Sequence, residues 1–204
     1  MLNPSDILEN ALYLLALLNP ASKVMFLAAY EPPLSPRRNF ELSWKSSLAA
    51  LAILMLLATA GDWILNSIFR VELYSLRITG GLIVFLIGWT AVREGRFIRN
   101  SEQALRKDFT DISLVPLAAP LIAGPGTITA AITCTAQSGL ATTLLALTIA
   151  IGINFLLMVL SASINRVLER THLLGPLIRL TGLIIAAVAV QMVADGVRQF
   201  AAQL

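Results

Sequence analysis

The stretch PLAAPLIAGPGTITAAI, residues 116–132, sets three prolines and two glycines into an otherwise apolar segment. It lies within a longer run, 112–165, that contains no Asp, Glu, Lys or Arg. At about 20 residues per crossing, such a run traverses a bilayer twice. Proline removes a backbone donor and clashes with the preceding turn, and glycine relaxes the backbone. A membrane helix with a break near Gly124-Pro125-Gly126 follows.

Composition extends that reading to the whole chain. Hydrophobic residues make up 57% and charged residues 13%, against about 45–50% and 25% in a soluble domain. Mean hydropathy is +0.78. Lone strands would leave backbone groups unpaired in lipid, and the alternation of a barrel strand is absent, so the spans are helices. Six are predicted, at 8–30, 46–68, 72–93, 112–135, 140–164 and 174–198, in a single membrane domain covering 1–204. The first reads as an uncleaved span, because nothing basic precedes it and no small-x-small site follows. The chain is taken as complete from Met1.

Charge sets the orientation. The loops after spans one, three and five carry eleven Lys and Arg residues, among them Arg37, Arg38, Lys45, Arg166 and Arg179, against three (Arg70, Arg77, Arg198) on the other side. The positive-inside rule then places both termini outside, in a multi-pass protein of the cell's inner membrane. The net charge of +3 is accounted for by lipid headgroups, without a nucleic acid partner. Cys134 and His172 each stand alone, and CxxC, HExxH and phosphate-loop patterns are missing. Neither a metal, a cofactor nor an enzyme is therefore expected.

The chain repeats itself. RITGGLIVFLIGWTAVREG (77–95) aligns with RLTGLIIAAVAVQMVADG (179–196), and NPAS (19–22) with GPGT (124–127). The first unit covers about 1–95, a cytoplasmic linker 96–111, and the second unit 112–204. Three spans per unit is an odd number, so the second enters from the opposite side, giving an inverted 3+3 repeat with helices one and four broken.

Paired breaks at mid-membrane depth are the chemistry-bearing feature. Each frees amides at the start of a half-helix, near Ala21 and near Gly126, that favour an anion, and carbonyls that suit an ammonium or small cation. Asn19, Pro20, Ala21, Ser22, Gly124, Pro125, Gly126 and Thr127 form the expected substrate site. Lys23, the one full charge inside span one, either snorkels to an interface or meets a carboxylate or proton. Asp62 is an interfacial residue or an ion-coupling one. Thr79 and Thr181 are candidates for lining a cavity; Asn154, Gln191, Thr127 and Thr129 are buried polar candidates whose alternative is an interhelical hydrogen bond. Arg77 and Arg179 are expected to anchor the interface, and Glu94 and Asp195 to be solvated helix ends.

The segments NP (19–20), RITGGLIVFLIG (77–88), PLAAPLIAGPGTIT (116–129) and RLTGLIIAAVAVQMVADG (179–196) resemble the MarC family, membrane proteins of the LysE superfamily. The resemblance implies six spans and secondary transport of glycine- or alanine-sized substrates. Family members usually follow Asn/Asp-Pro with a small residue and then a second proline near the position of Met25; this chain reads NPASKVM. The expectation is a secondary transporter of small neutral amino acids (glycine, alanine or serine) by alternating access, with H+ or Na+ as coupling ion and oligomeric state open, a homo-oligomer included. The alternatives are an exporter of another small solute or cation, and a non-transporting assembly or regulatory protein.

Overall fold

A computed structural model of the chain describes residues 3–28, 34–64, 67, 70–95, 122–170 and 174–202, apart from the side chains of Ala28, Asp62 and Glu169. The described elements are all helices. Helix α1, Pro4–Leu18, starts on Asn3, whose side chain accepts the Ser5 N–H, and Pro4 fills a first position that needs no donor. A break at Asn19 leads into α2, Pro20–Ala28. Helix α3, Pro36–Trp63, is opened the same way by Ser35, which accepts the Arg38 N–H.

This corrects the predicted second span, 46–68, whose helix begins much earlier. Arg37, Arg38 and Lys45, expected in a loop, sit on the first turns of α3, where Glu41 and Lys45 pair one turn apart. Hydropathy marks only the lipid-facing part of a helix, and charged turns carry the same helix beyond it. Helix α4, Leu73–Glu94, is closed by Gly95 at φ 68. Helices α5, Pro125–Ser138, and α6, Leu140–Val159, are separated by Gly139 alone. The predicted fifth span, 140–164, is also corrected: it stops at Leu160, and α7, Ser161–Arg170, continues as a separate amphipathic helix. The last helix, α8, is Leu174–Ala201.

Five described stretches are long and apolar enough to cross a membrane: Pro4–Leu27, Pro36–Gly61, Leu73–Glu94, Leu140–Val159 and Leu174–Ala201. The predicted fourth span is described from residue 122 onward, as α5; its first half and the predicted linker lie outside the described residues. Leu56, Trp63 and Leu86 are all more than 60% exposed. On a soluble protein such patches would drive association, whereas in a bilayer they meet acyl chains.

Two packing units stand out among the described residues. In one, α4 and α8 lie backbone to backbone: a Cβ on Gly88 would stand 2.7 Å from the Ala186 nitrogen and from the Gly182 oxygen. Gly81 meets Ala189 and Val193, while Gly196 meets Tyr74 and Ile78. Contacts thus run in opposite order along the two helices, which are antiparallel. Close approach of small residues is what holds helices together where lipid offers no hydrophobic drive. In the other unit, α1, α3, α5 and α6 enclose Leu14, Leu18, Leu54, Ala130, Leu147 and Met158. Leu17 packs against both cores.

Candidate functional site

The first break is built by Asn19, a non-glycine residue in the left-handed region at φ 50, ψ 71. Asparagine tolerates this conformation better than most side chains. Its N–H donates to Leu15 O at 3.1 Å, closing α1. The Ser22 N–H donates to Asn19 O at 3.1 Å and the Ser22 hydroxyl to the same oxygen at 2.8 Å. Because Ser22 serves Asn19, the Leu18 carbonyl loses its usual helical donor. The Lys23 ammonium takes that place, donating to Leu18 O.

The start of α5 follows the same plan. Gly124 is extended and Pro125 begins α5. The Thr127 hydroxyl points to Gly124 O and to Ile122 O, each at 2.9 Å. Ser22 and Thr127 therefore both reach three residues back to the carbonyl that precedes a proline. Lys23 and Thr127 both reach five residues back, to the last carbonyl before the break. Asn19, Ser22, Lys23, Thr127 and Ile122 are all buried. A Cβ on Gly126 would collide with Val84 and would lie 3.9 Å from Leu17, so the start of α5 packs on apolar side chains of α4 and α1.

Some expectations change here. Lys23 is 2% exposed and does not snorkel, and among the described residues its partner is a backbone carbonyl, with no carboxylate beside it. The place foreseen for a substrate ammonium holds the chain's own. On the opposite side of α2, Pro20, Ala21, Val24 and Met25 line a cavity of about 180 Å³, closed by Leu157, Ile164 and Leu177, with no polar surface.

The other predicted residues do not gather at the breaks. Thr79 and Gln191 are exposed, and Gln191 donates to Asp195 Oδ1 at 2.9 Å. Thr181 returns its hydroxyl to Leu177 O at 2.6 Å. Asn154 is fully buried, with its amide nitrogen 3.2 Å from Met158 Sδ and its oxygen unpartnered. Thr129 packs where a side chain on Gly80 would be. The Asp62 side chain falls outside the described residues.

Sequence reasoning missed a polar group between α1, α4, α5 and α8. Arg77, expected at the interface, is buried at 7% exposure, and its Nε donates to Thr133 Oγ1 at 3.2 Å. Tyr13 lies within electrostatic reach of Arg77, Cys134 and Asp195. The repeat counterpart of Arg77, Arg179, is exposed. Arg77 and Arg179 open the same motif, so nothing in the sequence separates them; the difference arises from the packing of α5 and α8 around one of them.

The chain matches the model described as MarC family integral membrane protein over residues 5–201. A UPF0056 membrane protein of Pyrococcus horikoshii is 35% identical over 191 residues, 94% of this chain and 93% of its own length. A UPF0056 membrane protein of Methanocaldococcus jannaschii is 35% identical over 193 residues, covering 90% and 91%. The UPF0056 membrane protein YvbG of Bacillus subtilis is 30% identical over 194 residues, covering 91% and 90%. No solved structure matches. With a family match that spans almost every residue of a helical, lipid-facing fold, this chain is a member of the MarC family of integral membrane proteins.

Proposed function

We propose that this protein is a secondary transporter of small neutral amino acids of the size of glycine, alanine or serine. One observation carries the reading: the break at Asn19 and the start of α5 are each built by a proline, a back-reaching hydroxyl and a fifth-residue donor, and both are buried. Non-helical backbone at membrane depth is tolerated where it is buried in protein, and in transporters such breaks border the moving boundary. The antiparallel course of α4 and α8, which carry the repeated motif, supports an inverted 3+3 arrangement in which one unit rocks against the other. The excess of basic residues on one side supports termini outside in an inner membrane, and H+ or Na+ is the driving ion proposed.

The test is uptake of labelled alanine into proteoliposomes under imposed proton and sodium gradients. Accumulation well above that of empty liposomes is expected under one gradient; flux equal to the empty control under both would remove amino acids of this size as substrate. The wholly apolar cavity beside α2 favours a second reading, export of a small apolar solute. In that case alanine would fail to move and an apolar solute would be displaced from the protein by filling the cavity with Ala21→Phe.

A further inference from the structure

We propose that Arg77 is the anchor for the carboxylate of the transported solute, in a site between α1, α4, α5 and α8 rather than at the helix breaks. The inference rests on the transport reading and names the group that binds the substrate. An arginine near the end of a membrane helix ordinarily extends its head to the interface. Arg77 turns inward instead. Gly196, which has no side chain, lets α8 run against it: a Cβ there would stand 3.3 Å from the Arg77 Cβ.

The guanidinium is poorly satisfied for so buried a charge. It carries five N–H donors, and among the described residues its one polar contact is from Nε to Thr133 Oγ1 at 3.2 Å. Ion pairs among the described residues do not include it. Asp195, the acidic group of α8 on this side, directs Oδ1 to Gln191 at 2.9 Å and to Arg198 at 3.7 Å. Leaving a buried charge without a counter-charge costs several kcal/mol. With no carboxylate against it among the described residues, such a position suits a counter-ion brought by a ligand.

Two features say what that counter-ion is. Among the described residues the Nη nitrogens have no hydrogen-bond or ion-pair partner. Thr133 holds the Nε and fixes the plane of the guanidinium, and the fork is the part that a ligand would meet. A planar fork with two parallel donors matches a carboxylate. Tyr13 lies within electrostatic reach of both Arg77 and Asp195, so a hydroxyl and a negative charge stand in the same region for the ammonium of a zwitterion. The helix breaks offer less: the Leu18 carbonyl is taken by Lys23, and the start of α5 packs on Val84 and Leu17.

The experiment is thermal unfolding of the purified protein with L-alanine, propionate and L-alaninamide as probes, run beside alanine uptake in proteoliposomes. Alanine and propionate are expected to raise the unfolding temperature and alaninamide, which lacks the carboxylate, to leave it unchanged. Arg77→Gln should abolish both carboxylate shifts yet unfold, without ligand, no lower than the parent, because no ion pair is lost. Arg77→Lys, which keeps the charge but not the fork, should bind alanine at least about tenfold more weakly, or 1.4 kcal/mol. Stabilisation by alaninamide equal to that by alanine overturns the site, as does alanine binding by Arg77→Gln within about twofold of the parent. Uptake by the parent that persists in Arg77→Gln overturns the site and leaves transport standing. A carboxylate-dependent shift without uptake leaves the site and overturns transport.

Discussion

Lys23 shows how a single residue decides what a helix break can bind. In a continuous helix the Leu18 carbonyl would face the Ser22 N–H; here the Lys23 ammonium covers it. Two costs compete if the charge is removed. An orphaned buried carbonyl costs about 1–3 kcal/mol, and burying an ammonium without a carboxylate costs several. Lys23→Met, which keeps the length of the stem, is therefore expected to raise the unfolding temperature of the detergent-solubilised protein; a fall of several degrees would mean that the ammonium is better compensated than its one carbonyl suggests. That a charge sits in the apolar span is plain from the sequence. Its destination is not, because a reach of five residues back becomes available only after the chain has broken at Asn19. Arg77 has the same opacity for a different reason: its burial depends on Thr133 and Gly196, which lie far along the chain.

At the scale of the helix, the repeated Arg-x-Thr-Gly motif and the break at Asn19 could be read directly, and helices begin at Pro20 and Pro125, one residue from the positions expected. Helix ends were harder to read. The predicted second span began too late because the first turns of α3 are charged, and the fifth ran on past Leu160 because Ser161 and Ala162 continue a small, apolar pattern. The pairing of α4 with α8 makes the sharpest prediction here. At Gly88 the atoms that a side chain would meet belong to the backbone of Gly182 and Ala186, which cannot rotate away. Gly88→Leu should destabilise the fold by about 3 kcal/mol or more, seen as loss of monodisperse protein on size exclusion, whereas Gly152→Leu, with open space around it, should elute like the parent.

For the molecule as a whole, composition and the uncharged run 112–165 were enough to establish an all-helical membrane protein. How the packing units divide was not legible, since it rests on contacts between distant helices. A rocking motion requires helices that are closed together at rest to part during turnover. Cys134, the only cysteine, is 2% exposed and lies near Arg77 and Tyr13, so it reports on that parting without mutagenesis. A membrane-permeant maleimide should label it slowly in resting proteoliposomes, and alanine should change the rate severalfold. An identical rate with and without alanine, in vesicles that do take alanine up, would speak for a bundle that stays rigid around this position.

Synthesis order gives the end of α6 a further meaning. The Asn39 amide, on α3, donates to the carbonyls of Met158 and Val159 at 3.3 and 3.2 Å, sealing the turn where α6 stops before Leu160. Chains emerge from the ribosome N-terminus first, so α3 is already inserted when α6 is made. A donor on α3 is thus made before the carbonyls that it caps, and this contact ties the later helix to the earlier one.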